Sequence, residues 1–166
     1  MKFYKEYTQA IMDRLTTGRA LMTTKANGKI NTMVIGWGGI NKYFGDDIFI
    51  APVRLSRYTH DLLDESDVFT VSFPKDDELK DALKVCGTKS GRDMDKFDVC
   101  NLTAVAGKEV DCPVIGEGWL HIECKVVGQT TLTGENLSAG VMSKIYGKRD
   151  LHTLYLGEVV AMYTLD

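Results

Sequence analysis

The stretch "LKVCGTKSGRDMDKF", residues 83–97, sets Thr88, Lys89, Ser90 and Arg92 beside Gly87 and Gly91. Glycine admits backbone conformations closed to other residues, and lysine, arginine and serine together can surround a phosphate with charge and directed hydrogen bonds. A phosphorylated ligand is one reading of this segment; a surface loop kept soluble by its charges is the other. A second stretch, "APVRLSRYTHD" at residues 51–61, repeats the inventory with Arg54, Ser56, Arg57 and Thr59. Ser56 or Thr59 could equally cap a helix, and Arg57 could lie in solvent. Two anion-compatible segments converging on one phosphate favour a ligand more than either does alone.

"NTMVIGWGGI", residues 31–40, carries a different chemistry. Asn31 and Thr32 donate and accept hydrogen bonds, Met33 offers a soft apolar surface and Trp37 a wide aromatic one. Gly36, Gly38 and Gly39 permit close backbone approach, either to a planar polar ring or within a tightly curved strand around a buried tryptophan. Hydrolytic chemistry has little support, because none of His60, His121 and His152 lies in an HExxH motif. His152 opens the last long extended segment, where it either reaches a pocket mouth or bonds neighbouring backbone. Cys86, Cys100, Cys112 and Cys124 are too widely spaced for a CxxC pair, and His121 and Cys124 have opposite parity on a strand. No metal site is expected, and four free, mostly buried thiols fit a reducing compartment.

These residues need elements to position them. Tyr4, Tyr7, Ile11 and Leu15 recur near helical spacing, predicting an amphipathic helix over residues 4–15. "RALMTTKANGKINTMVIGW" predicts two strands around a tight turn at Asn27-Gly28, and "DDIFIAPV" a third. "RYTHDLLDES" reads as helix, "DVFTVSF" as strand, and "KDDELKDALKV" as a helix that delivers the chain into a loop at Gly87. "NLTAVAG", "GWLHIECKVVGQTTL" and "HTLYLGEVVAMYTL" are the remaining strands. A mainly β (α+β) closed or nearly closed barrel with peripheral helices accommodates this order. A doubly wound sheet does not, since regular β-α-β alternation and a GxGxxG after the first strand are missing.

The chain has 166 residues, of which 44% are hydrophobic, so a single domain over residues 1–166 can bury an ample core. Twenty basic against twenty-three acidic residues give a net charge of -3, which advertises no nucleic-acid partner. "MKFYKEYTQAIMDRL" is charged throughout, unlike a secretory signal, and no apolar run reaches membrane-spanning length. A cytoplasmic location, with no membrane association, is the expectation.

Together, "NTMVIGWGGI", "VRLSRYTHDLLDESDVFTVSF", "GTKSGRDMDKF" and "HTLYLGEVV" resemble the flavin reductase-like, FMN-binding split-barrel family, particularly its flavoredoxin-like branch. The resemblance implies a homodimeric split β barrel with FMN near the subunit interface. It implies that Asn31, Thr32 and Met33 lie beside the isoalloxazine and that Trp37 extends its wall. It assigns Arg54, Ser56, Arg57, Tyr58, Thr59, Thr88, Lys89, Ser90 and Arg92 to the ribityl phosphate, and His152 to the flavin or substrate side. Val34 and Gly36 stand where many relatives carry hydroxyl side chains, so a hydrogen bond to the flavin edge is either absent or supplied by backbone or water. The implied activity is NAD(P)H-dependent flavin reduction, with NADH or NADPH as transient donor and free flavin, a redox protein or oxygen as acceptor. The alternative is a flavoredoxin-like electron carrier without direct nicotinamide activity. Arg57, Lys42 and Lys148 are the cations that either attract the extra phosphate of NADPH or face solvent.

Overall fold

Helical spacing at the start of the chain builds α1 (Tyr4–Thr16), which buries Ile11 and Leu15 and sets Tyr7 edge-on to Trp119. The computed structural model describes residues 4–75, 78–147 and 150–165. Asn27 and Gly28 both take positive φ, the requirement of a two-residue hairpin turn, and join β1 (Ala20–Ala26) to β2 (Lys29–Ile35). A second hairpin pairs β3 (Gly39–Tyr43) with β4 (Asp46–Arg54). The polar "NKY" end of β3 gave no apolar alternation, which is why only β4 is legible in sequence. There follow α2 (Tyr58–Leu63), β5 (Val68–Phe73), α3 (Lys80–Thr88) and α4 (Lys96–Val99). The short pair β6 (Ala104–Val105) and β7 (Val114–Ile115) stands apart, and β8 (Leu120–Thr131), α5 (Ala139–Ile145) and β9 (His152–Thr164) complete the order. The fold is mainly β, with helices at its periphery.

The large sheet runs β2-β1-β5-β8-β9-β4-β3, with every pairing antiparallel. Its two end strands, β2 and β3, are separated in sequence only by residues 36–38. A seven-stranded sheet whose ends lie so close along the chain has to curl round on itself. The curl closes over Phe49, Phe69, Phe73, Leu120, Ile122 and Tyr155, all fully buried. Gly38 makes the crossing at φ +115°, with its backbone against the Ile50 carbonyl where any Cβ would collide. The close approach open to this glycine is therefore taken up by β4.

Outside the curl, α2, α3 and α4 each pack on β2. Ala82, Cys86 and Phe97 join Leu21, Leu102 and Ile115 in a second, smaller apolar cluster there. Two local expectations change. The α3 helix continues through Gly87 and Thr88 instead of ending before them, because Gly87 packs on Val34 and Thr88 donates to the Lys84 carbonyl (2.7 Å). "NLTAVAG" yields a strand of only two residues, and the helices α4 and α5 were not foreseen. The Asp76-Asp77 pair expected at the front of α3 lies outside the described residues, as does Lys148.

Candidate functional site

Two hollows adjoin along the outer length of β2 and share Met33, Val34 and Arg57. The first, of about 170 Å³, is aromatic and cationic, lined also by Trp37, Pro52, Arg54 and His152. The second, of about 130 Å³, lies among Asn31, Lys96, the start of α2 and the turn from Thr88 to Arg92.

Of the residues that the resemblance assigns to the flavin, its phosphate or the substrate side, every one except Thr32 lines one of these hollows, whereas Gly38, Gly39 and Lys42 line neither. Thr32 is buried, and its hydroxyl donates to the Met22 carbonyl at 3.1 Å. Asn31 Nδ2 donates to Thr59 Oγ1 (2.8 Å), so Thr59 serves the strand and not a helix cap. The Asn31 carboxamide oxygen presses against Gly91 so closely that a Cβ at that position would overlap it. This contact fixes the turn against β2 and explains a glycine where φ does not demand one.

The cations divide into paired and unpaired. Arg54 donates to the Asp150 carbonyl at 2.7 Å, with the Asp150 carboxylate 3.8 Å away, and Ser56 bonds that carboxylate through its amide (3.1 Å) and hydroxyl (2.8 Å). Arg54 and Ser56 thus clamp the segment that leads into His152. Arg92 bonds Asp61 (2.6 Å) and the Ser56 carbonyl (3.1 Å) and lies over the Tyr58 ring. Ser90 Oγ accepts the Arg92 amide at 3.2 Å. Among the described residues, the side chains of Arg57 and Lys89 have neither an ion pair nor a hydrogen-bond partner. Lys42, by contrast, faces Asp47 at 3.6 Å.

Lys96 was missed in sequence. It is buried, and its ammonium donates to the carbonyls of Thr32 (2.9 Å) and Cys86 (3.1 Å) while lining the second hollow. An ammonium carries three N–H donors, so one is left over. Burial, the first cause, and Arg57 pull its pKa down from the usual lysine value, against the opposing pull of Cys86. A signal did exist: Lys96 is the first residue after the N-cap Asp95, where the helix dipole disfavours a cation.

At the other end, Trp37 is 48% exposed and lies 5.0 Å from the His152 ring at a tilt of 39°. His152 Nδ1 meets the Tyr146 hydroxyl at 2.7 Å. Burial first, then the charges of Arg54 and Arg57, push the imidazole pKa down to about 4 against the pull of Asp150, so the ring is neutral at pH 7. The described residues also build a Ser72–His121 pair (3.0 Å), but both are buried, Ser72 Oγ accepts the Ile115 amide and His121 Nε2 meets the Gly118 carbonyl. With both side chains buried and bonded in this way, the pair is a packing device.

Residues 12–166 match the model of the flavin reductase like domain, and the chain belongs to that family. It is 33% identical over 132 residues to an uncharacterised protein of Archaeoglobus fulgidus, covering 80% of this chain and 64% of that one. This chain therefore spans a little under two thirds of that relative's length. Its structure is similar to flavoredoxin of Desulfovibrio vulgaris (Miyazaki F), with TM-score 0.69 and 25% identity over 89% of this chain and 69% of that one. Flavoredoxin from Methanosarcina acetivorans gives TM-score 0.68 and 26% identity over 89% and 68% of the two chains. A putative flavin reductase with a split-barrel domain from Shewanella frigidimarina, at TM-score 0.69 and 16% identity over 100% of this chain and 81% of that one, shows the fold. The curled sheet with neighbouring ends β2 and β3 is that split barrel.

Proposed function

We propose that this chain is an FMN-dependent oxidoreductase that takes electrons from NADH or NADPH and delivers them to free flavin or a redox protein. The observation that carries this reading is the pair of hollows joined along β2, both lined by cations and the first also by Trp37 and His152. The donor set fits the cofactor. Arg57, Lys89 and the remaining Lys96 N–H can meet a phosphate or a polar ring edge, Met33 and Val34 give a flat apolar wall, and Trp37 extends it. When bound, FMN supplies a ring that accepts hydride and releases electrons. The chain's own part is positioning. Asn31 and Gly91 hold the turn, the Arg54–Asp150–Ser56 clamp holds His152 at the mouth, and Trp37 shields one side from water.

Anaerobic mixing of the FMN-loaded protein with each nucleotide, followed at the flavin absorption band, tests the donor. Rapid bleaching by NADH or NADPH is expected. A second reading, an electron carrier served by another protein, is favoured by the likeness to two flavoredoxins at 25% and 26% identity. Bleaching by dithionite but by neither nucleotide would select it.

The assembly we propose is a homodimer. Each hollow is small for a cofactor site, and Phe44 is 72% exposed on a hairpin that also exposes Tyr43, near Val127 at a bulge of β8. Solution mass should equal two chains. Buried reduced thiols support a cytoplasmic location; among the described residues, no helix is long and apolar enough to cross a membrane.

A further inference from the structure

Tyr146 and His152 flank a short segment of chain, yet their side chains meet in the interior. Tyr146 is 4% exposed and His152 6%. The hydroxyl and Nδ1 are 2.7 Å apart, the rings cross at 73°, and the Arg54 guanidinium lies 5.6 Å from the Tyr146 centroid. Two proton placements fit this distance. If Nδ1 carried the proton, it would donate to the phenol oxygen, and the phenol hydrogen would be left buried with no acceptor among the described residues. If the phenol donates to Nδ1, its hydrogen is satisfied and the imidazole proton sits on Nε2. Nε2 has no hydrogen-bond partner among the described residues, and the ring lines the aromatic hollow beside Trp37.

We infer that Tyr146 is a positioning residue that locks His152 in the Nε2–H tautomer, so that the aromatic hollow presents one fixed donor to a carbonyl oxygen on a planar substrate. The substrate class rests on the oxidoreductase reading above; the tautomer lock does not. A neutral donor of fixed direction selects an oxygen acceptor at the edge of a ring packed by Trp37, such as a carboxamide or an aromatic aldehyde. Arg57, unpaired and shared by both hollows, adds a preference for a ring that also carries negative charge.

The test uses the full chain labelled with 15N-histidine, first without cofactor at pH 7. His152 should show an unprotonated Nδ1 and a protonated Nε2, and Tyr146→Phe should convert it to a mixture of tautomers with the fold intact by thermal melting. A native Nδ1–H tautomer, or an unchanged tautomer in Tyr146→Phe, overturns the lock. The protein incubated with FMN is then titrated with 4-hydroxybenzaldehyde and with 4-methylphenol, which lacks the carbonyl. The aldehyde should bind several-fold more weakly to Tyr146→Phe than to the native chain, and 4-methylphenol equally to both. Equal losses for the two compounds overturn the carbonyl assignment. If the flavin spectrum shows no uptake of FMN, the oxidoreductase reading fails, and the same titration of the cofactor-free chain still decides the assignment.

Discussion

The Lys96 ammonium reaches across from the first turn of α4 to the main-chain carbonyl of Thr32 on β2 at 2.9 Å, and a second bond at 3.1 Å ties it to Cys86 on α3. One buried cation thus ties α4 to β2 and to α3 beside the second hollow. Lys96→Met keeps most of the side-chain volume and leaves two carbonyls without this donor. A loss of roughly 1–3 kcal/mol is expected in denaturant unfolding of the cofactor-free chain, together with weakened FMN binding by fluorescence titration. Unchanged stability would mean that the carbonyls are satisfied elsewhere.

The division of the arginines predicts which of them read the phosphate. Arg57→Ala and Lys89→Ala should each weaken FMN but not riboflavin, by about 1 kcal/mol or roughly fivefold, since both side chains are exposed. Arg54→Ala should weaken both flavins alike, because Arg54 holds the Asp150 segment. Paired titrations with the two flavins check this, and a selective FMN loss in Arg54→Ala would refute it.

Stability should fall with acid in two stages. Burial pushes His121, like His152, down to about 4, below the ordinary histidine value of 6.5. Between those values the unfolded chain takes up protons that the folded chain refuses, so stability declines as pH falls from 6.5 towards 4. Each such proton contributes at most about 1.4 kcal/mol per pH unit. Burial alone would raise the Glu123 pKa, but bonds from the Tyr163 hydroxyl and the amides of Lys108, Glu109 and Val110 outweigh it and hold the carboxyl below its usual 4.5. Its contribution is intact above that value and is lost as pH falls through the lowered one. Urea melts between pH 7 and 4.5 should show the first stage, and His121→Gln should reduce its slope by about one proton.

Thiol reactivity should be uneven. Burial pushes Cys86 and Cys112 up to about 12 and raises Cys124 well above the ordinary thiol value, while Cys100 is half-exposed. A disulfide-exchange reagent at pH 7.5 should modify Cys100 promptly and the other three only on unfolding. Prompt reaction of a second thiol in the native chain would contradict the burial.

Much of this protein is local and was legible in its sequence. Asn27-Gly28 specifies a hairpin turn by its own backbone preferences, and Ile11 and Leu15 specify a helix face by spacing. The glycine and basic residues at 89–92 announce an anion-compatible turn, though α3 runs on through Gly87 and Thr88 before it, and the four motif segments carry the family. What sequence left open depends on partners distant along the chain. Arg54 and Arg57 are of one type, three positions apart, yet Asp150 claims the first and nothing described claims the second. Thr32 and Met33 are neighbours on one strand, and the pleat sends the hydroxyl to Met22 while Met33 lines both hollows. Lys96 was passed over in sequence, because only the folding of α4 onto β2 buries it beneath two carbonyls. A side chain's type fixes which bonds it can make; only the folded sheet, by bringing β2, α3, α4 and the approach to β9 together, decides which of those bonds are used within the chain and which remain for a ligand.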